Sequence, residues 1–247
     1  LDGLRVDERG FCLGPEPGAP PPEAAQWEEA VAGDLFGEIA RRLSEGRIVA
    51  WCRGRMELGA RALGNRSIFA DARVLGMQSR LNRAVKFREG FRPFAPVVLE
   101  EAAGEWFTSA RPSRFMQFVA ELLPERRRAM PEGPATMRER LDFPRAEIAS
   151  VVHVDYSARL QTVERATHPD LHRLLVAFRD RTGVPILINT SFNVAGQPIV
   201  RTATEAWECF VHTEIDDLVI GGRLYRNPSR LSREEKIAWV RGFTACS

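Results

Sequence analysis

Four stretches of this chain gather side chains that could do chemistry. The first, Arg53–Ser67, reads RGRMELGARALGNRS and sets Arg53, Arg55, Arg61 and Arg66 among glycines and alanines. Glycine lets a backbone approach a ligand closely, and arginine forks hold planar oxyanions at two points. The second, Val85–Pro96, reads VKFREGFRPFAP. It carries Lys86, one of only two lysines in a chain with 35 lysines plus arginines, followed by Arg88 and Arg92. A lysine where arginine is otherwise the rule suits a crowded polyphosphate that needs a compact ammonium; on a strand, Lys86 and Arg88 would share a face. The third, Ile188–Pro198, places Asn189, Thr190, Ser191 and Asn193 straight after an apolar run, where open α/β sheets collect ligands. The fourth, His153–Val163, would align His153, Asp155, Ser157, Arg159 and Gln161 on one face of a strand. Each stretch also has a plain reading: a basic surface loop, a turn closing a strand, or a solvated strand face.

Elements must hold these stretches in place. The Pro/Gly/Ala-rich LGPEPGAPPPEAAQ has no regular structure of its own. A helix is expected to follow, with Val31, Leu35, Ile39 and Leu43 inward and Gly46 as its stop. Arg47–Cys52 reads as a strand, and Gly76–Phe87 as a helix with Met77, Leu81 and Val85 on its inner face. Extended chain at Arg92–Pro96 leads into another strand, and RFMQFVAEL forms one more. Residues 124–144 form a surface excursion. Residues 147–163 read as a long strand or hairpin. His168–Gly183 is a helix with Leu171, Leu174, Leu175 and Phe178 inward, Val184–Thr190 a buried strand, and Thr202–Thr213 a helix opened by a Thr-x-x-Glu cap. Two strands turn at Gly221–Gly222. Strands and helices mix without strict alternation, so the fold class is α/β (α+β mixed), a twisted mixed sheet flanked by helices. The boundaries expected are an arm over 1–22, one domain over 23–230, and a tail or helix over 231–247.

Composition narrows the class. The chain has 247 residues, 44% hydrophobic and 28% charged, enough for a full core. A net charge of +2 gives no global field for DNA or an anionic membrane. No apolar run reaches membrane-helix length and the charged start lacks a signal core, which points to the cytoplasm. Cys12, Cys52, Cys209 and Cys246 are far apart and read as reduced thiols. His168 and His172 are spaced i, i+4 but flank Pro169, and read as a solvated face rather than a metal site.

Together GRMELGARALGNRSIFAD, RLNRAVKFREGFRPFAP, HVDYSARLQTV and ILINTSFNVAGQPIV resemble the C-terminal, YrdC-like domain of the O-carbamoyltransferases that modify antibiotics and nodulation factors. The resemblance runs over roughly 46–227. It implies a Lys-x-Arg pair, Lys86 with Arg88, and a Ser-x-Asn pair, Ser191 with Asn193, lining one nucleotide site. It adds anion or nucleotide contacts at Arg61, Arg92, Arg159 and Asn189, with Arg55 and Thr190 beside them. It implies carbamoyl phosphate and ATP with Mg²⁺ as ligands, and carbamoyl-AMP as product. Transfer to a hydroxyl falls to a partner domain of actin-like-ATPase fold, and iron is expected only there. That domain is not in this sequence, so the chain is expected to need it, as a neighbouring domain or subunit; homo- or hetero-oligomers both remain open. Ala60 and Tyr156 stand where the family usually has proline and glycine, and Gln197 where it has glutamate. Two rivals remain: an RNA-binding or scaffold subunit, and a relative of the tRNA threonylcarbamoyl-adenylate synthases.

Overall fold

A computed structural model describes residues 12–108, 111–130, 133, 136–228 and 231–244. Among them a mixed sheet has the order β1-β9-β8-β2-β3-β7-β4-β6-β5. Its strands are β1 (Glu28–Glu29), β2 (Val49–Cys52), β3 (Arg66–Asp71), β4 (Ala95–Leu99), β5 (Phe118–Glu121), β6 (Ser157–Val163), β7 (Ile186–Ser191), β8 (Asp217–Ile220) and β9 (Arg223–Arg226). β2 runs parallel to β8 and β4 to β6; the other pairings are antiparallel. The helices are α1 (Leu35–Ser44), α2 (Met77–Ala84), α3 (Met137–Asp142), α4 (Pro169–Thr182), α5 (Ala203–Val211) and α6 (Arg233–Thr244). The expected mixed α/β architecture is the one observed.

Side-chain alternation along the strands builds two cores. Val49, Trp51, Phe69, Val97 and Leu187 pack on α1 and α4, whose Ile39, Leu43, Leu174 and Phe178 are fully buried. Ala50, Ile68, Val98 and Ile188 face the other way, onto Met77 and Leu81 of α2 and onto Ala206 and Phe210 of α5. α6 adds Val240 to this second core, and its Trp239 stacks on His212.

Several elements differ from the sequence reading. The first helix starts at Leu35, because Asp34 caps it by accepting from the backbone of Phe36 and Gly37, and Gly33 before it has φ +95°. The residues ahead form a 3-10 turn, Pro22–Trp27, and the short β1, which pairs with β9. Residues 14–17 lie against the body: Gly14 donates to Met56 O and Ala203 to Pro17 O. β3 is not foreshadowed by the sequence pattern; it starts inside the arginine-rich stretch and places Arg66 fully buried, its guanidinium on the carbonyls of Pro15, Gly54, Asn65 and Arg201.

The long strand expected over 147–163 is β6 preceded by a tight turn. Tyr156 donates its N–H to His153 O and has φ +63°, a backbone that favours glycine. His153 and Asp155 therefore do not share a strand face with Arg159 and Gln161. His168, expected on a solvated face, is buried beneath Gly64, where an added Cβ would lie 2.8 Å from its Nε2. Burial pushes its pKa down to about 4. Cys52 and Cys209 are buried free thiols, pushed by that burial up to about 12; Cys246 lies outside the described residues.

Candidate functional site

The site grows from the end of β7. Beyond Ser191 the chain turns: Asn193 donates its N–H to Ser191 O at 3.1 Å, Ser191 Oγ donates to Asn193 Oδ1 at 2.7 Å, and Asn193 Nδ2 donates to Gln197 O at 2.7 Å. Gln197 Oε1 in turn accepts from Val194 N at 3.1 Å. A glutamate would serve equally as that acceptor.

Lys86 reaches this turn from the C-terminal end of α2. Its backbone N–H still donates to Leu81 O, and Phe87 after it has φ +48°, so Lys86 and Arg88 leave the helix in different directions rather than along one strand face. Lys86 Nζ donates to Ser191 O, and lies 2.9 Å from both Asn193 O and Asn193 Oδ1 and 3.3 Å from Ser191 Oγ. The residue is 4% exposed, and burial pushes its pKa down to about 7. All four partners are neutral oxygens, whereas the other lysine, Lys236, pairs with Glu214 at 2.6 Å.

Arg88 turns back onto α2. Its Nε donates to Asn82 Oδ1 at 2.6 Å and its guanidinium lies 5.1 Å from the Phe94 ring centroid. Asn82, fully buried, also donates to Arg92 O at 2.8 Å, so one amide fixes both ends of the 88–92 loop. Burial lowers the pKa of Arg88, and the charge of Arg92 lowers it further. Arg92 is exposed.

A second cationic group lies beside Asn189. Arg159 of β6 is half-buried, with its pKa lowered first by burial and then by the charge of Arg61. Its Nε has no hydrogen-bond partner among the described residues. Arg61 sits exposed in the loop between β2 and β3. That loop is closed by the buried Glu57, whose Oε1 accepts from the backbone of Leu63 at 2.6 Å, Asn65 at 3.2 Å and Arg66 at 3.3 Å. Asn189 is joined to it: Nδ2 donates to Gln161 Oε1 at 2.6 Å and Ala62 O at 3.3 Å, while Gln161 Nε2 donates to Leu63 O at 2.7 Å. Ala95 of β4, which pairs with Asn189, is small enough for these two side chains to meet across it.

The structure thus brings together Lys86, Ser191 and Asn193, sets Arg88 and Arg92 on the adjoining loop, and sets Arg61 and Arg159 beside Asn189, with β7 joining the two groups. Thr190 is half-buried on β7, opposite Ile68. Arg55 stands apart, its guanidinium on Gly14 O at 3.0 Å and Leu13 O at 2.6 Å. A groove of about 990 Å³ adjoins the 88–92 loop, lined by Gln78, Arg83, Phe91, Arg145 and His153 among others, but by none of the residues singled out in sequence as ligands. Gln161, Asn82 and Glu57 organise the site, and the sequence does not mark them as ligands. Of the three, Glu57 alone carries a sequence signal, a charged residue set between the apolar Met56 and Leu58.

Lys86, Arg61, Arg88, Arg92 and Arg159 form no ion pair with a carboxylate among the described residues. Elsewhere arginines commonly do: Arg42 and Arg47 meet Asp217, Arg53 meets Asp170, and Arg73 meets Asp71. Clustered cations without carboxylates repel one another, and an anion relieves that repulsion. Among the described residues no group of three or more His, Cys, Asp or Glu converges to hold a metal, and no helix is long and apolar enough to cross a membrane.

Comparisons with known proteins show the family. The family model for the carbamoyltransferase C-terminus matches residues 40–227. The chain is 44% identical to uncharacterized protein sll1178 of Synechocystis over 85% of its own length and 34% of that protein's. It is 40% identical to nodulation protein NolO of Bradyrhizobium diazoefficiens, over 78% of this chain and 32% of the relative. With the 3'-hydroxymethylcephem-O-carbamoyltransferase of Streptomyces clavuligerus it shares 36% identity, over 83% of this chain and 35% of the relative. The chain therefore spans about a third of the length of these relatives.

Proposed function

This chain belongs to the carbamoyltransferase C-terminus family, and we propose that within it the chain is the unit that activates the carbamoyl group, making carbamoyl-AMP from carbamoyl phosphate and ATP. The observation that carries this reading is the set of cations around β7 that form no ion pair among the described residues, although the charge of Glu89 bears on Arg88 from the same loop. Water cleaves carbamoyl phosphate to carbamate and phosphate. A carbamate oxygen then attacks the α-phosphorus of ATP, the bond to the bridging oxygen breaks, and pyrophosphate leaves. Both reactants are anions, so catalysis is chiefly positioning and charge stabilisation.

Arg61 and Arg159 fit the carbamoyl side, where both lack an anionic partner. Lys86 and Arg88, with Ser191 and Asn193, fit the polyphosphate side, and Arg92 lies on the adjoining loop. Lys86 must exchange some of its four oxygens for phosphate oxygens. An anion placed there also favours its charged form, which burial disfavours. Mg²⁺ would arrive on the triphosphate and reduce its charge, with the hydroxyl and amide oxygens of Ser191 and Asn193 the nearest suitable donors. Transfer to an acceptor hydroxyl belongs to a partner domain or subunit of the kind that makes up the rest of the relatives' length, and any iron to that partner.

The test is to incubate the full chain with ATP, Mg²⁺ and fresh carbamoyl phosphate, and to follow pyrophosphate and a carbamoyl-adenylate by mass spectrometry. Both should appear, and neither should form when carbamoyl phosphate is omitted. Pyrophosphate formed only with bicarbonate and threonine would overturn the reading in favour of the threonylcarbamoyl-adenylate reaction. RNA binding with a steep salt dependence and no ATP affinity would overturn it in favour of a scaffold.

A further inference from the structure

Around Asn189 the hydrogen bonds dictate which way an amide points. Leu63 O can only accept, so the Gln161 atom facing it at 2.7 Å is the amide nitrogen. Gln161 then presents its oxygen to Asn189, and Asn189 must answer with Nδ2, at 2.6 Å. Ala62 O, 3.3 Å from the same Nδ2, demands the same sense. Leu63 is itself fixed from its other side, its N–H donating to Glu57 Oε1 at 2.6 Å. Asn189 Oδ1 is therefore left as the outward atom of the amide. It is buried and has no hydrogen-bond partner among the described residues.

The two segments that bond the Asn189 amide, β6 and the loop before β3, each carry an arginine. Arg159 precedes Gln161 by two residues on the same face of β6, with an unpartnered Nε. Arg61 directly precedes Ala62 at the exposed part of the loop, where it is free to move aside for a ligand. A small ligand at this point meets guanidinium groups for its oxygens and one lone acceptor for a hydrogen. A carbamoyl group has the matching pattern, a carbonyl oxygen beside an NH2. An acetyl group of the same shape carries a methyl there and leaves the acceptor unpaired.

We infer that Gln161 is a positioning residue that fixes the sense of the Asn189 amide, so that Asn189 Oδ1 accepts from the ligand's NH2 and selects carbamoyl phosphate over acetyl phosphate. This rests on the carbamoyl-activating reading and adds to it the source of substrate choice. Arginines bind the oxyanion whichever group is attached; the amide tells the groups apart. Gln161 touches no ligand and acts by denying Asn189 the flipped orientation.

The experiment measures dissociation constants of carbamoyl phosphate, acetyl phosphate and inorganic phosphate by calorimetry on the full chain. Wild type should prefer carbamoyl phosphate over acetyl phosphate by roughly five- to tenfold, the effect of one hydrogen bond to a buried acceptor. Gln161→Met leaves the Asn189 amide held only by the longer contact to Ala62 O at 3.3 Å, and the preference should fall towards one while phosphate affinity changes less than about twofold. Gln161→Glu, its buried carboxyl protonated so that it still donates to Leu63 O, accepts from Asn189 Nδ2, and its preference measured at mildly acidic pH should stay near the wild-type value; this variant also serves if the methionine variant does not fold. An unchanged preference in Gln161→Met would overturn the inference. So would parallel loss of all three ligands, which marks a merely structural role, and so would loss of preference in a Gln161→Glu protein that still binds phosphate. A wild type that binds ATP but shows no NH2 preference overturns this inference alone. A wild type that binds neither ATP nor phosphate overturns the functional reading beneath it as well.

Discussion

Replacing Lys86 by methionine should remove a pH dependence from the stability of the fold. Burial lowers the Lys86 pKa from 10.5 to about 7. Between those values the unfolded chain holds a proton that the folded chain has lost, so stability rises with pH across that window. The penalty for burying the ammonium is complete below the folded pKa and absent above the unfolded one. Each tenfold loss of proton affinity is worth about 1.36 kcal/mol, so the penalty comes to roughly 4 kcal/mol at pH 7 and roughly 2 at pH 9. Wild type should therefore gain about 2 kcal/mol between those pH values from this residue alone. The oxygens of Ser191 and Asn193 favour the charged form, so this gain is an upper bound. Denaturant melts of wild type and Lys86→Met at pH 6, 7, 8 and 9 read it directly. The absolute offset between the two is not diagnostic, because methionine leaves those oxygens without a donor. The change of offset with pH is, because titrations common to both proteins cancel. The variant's advantage should shrink by up to about 2 kcal/mol from pH 7 to pH 9, and saturating pyrophosphate should flatten the wild-type slope by restoring the proton. An offset constant across the series would refute the reasoning: Lys86 would then keep its charge in the fold at every pH, with its four oxygens replacing water in full.

Two further outcomes follow from the same geometry. Arg159→Leu removes a half-buried guanidinium from beside Arg61, so calorimetry should show phosphate affinity falling about ten- to a hundredfold while the melting midpoint holds or rises, because a like-charge repulsion is lost. Thr202→Ala deletes the side chain that accepts from Glu205 N at 3.2 Å; it should cost about 1 kcal/mol in denaturant melts and leave nucleotide affinity within about twofold.

Where pattern and local chemistry agreed, the elements were legible. α4 has its apolar residues at helical spacing, a proline at its start and Gly183 at φ +77° as its stop, and all four inward residues expected are fully buried. α5 opens at the Thr202 cap, and α2 buries Met77, Leu81 and Val85. The misses occurred where a tertiary contact overruled the local pattern. β3 begins with a fully buried arginine because the carbonyls of Pro15, Gly54 and Arg201 join that of its neighbour Asn65 around it, and nothing near Arg66 in sequence announces those three. The alternation over 147–163 mimicked one long strand, but Tyr156 at φ +63° folds its first part into a turn. Tyr156 stands where glycine is usual in the family, so the residue that would have marked that turn was missing. For the site, residue types were legible and partners were not. Lys86 was legible as a candidate polyphosphate ligand, but its burial was not, because Ser191 and Asn193, more than a hundred positions away, supply the oxygens that hold it. Gln161 passed as one more polar residue on a strand face, since its role depends on which atoms of Leu63 and Asn189 face it.

Arginine pairing separates the scaffold from the site more sharply than arginine content does. In a chain with 35 lysines plus arginines and 33 aspartates plus glutamates, charge balance alone would let nearly every cation find a carboxylate. Around Asp217 that happens to the full: a fully buried carboxylate takes both Arg42 and Arg47, and Arg42 also meets Glu29 and Glu38. Beside β7 the opposite holds. The charge of Arg61 bears on Arg159, Arg88 and Arg92 share a loop with Glu89 but form no ion pair with it, and Lys86 is buried among neutral oxygens. Burial disfavours the charges of Lys86, Arg88 and Arg159, and no ion pair among the described residues offsets that cost. Under the carbamoyl-activating reading, an anion that is not part of the fold supplies the stabilisation, and the unpaired acceptor of Asn189 marks which end of the anion carries the hydrogen.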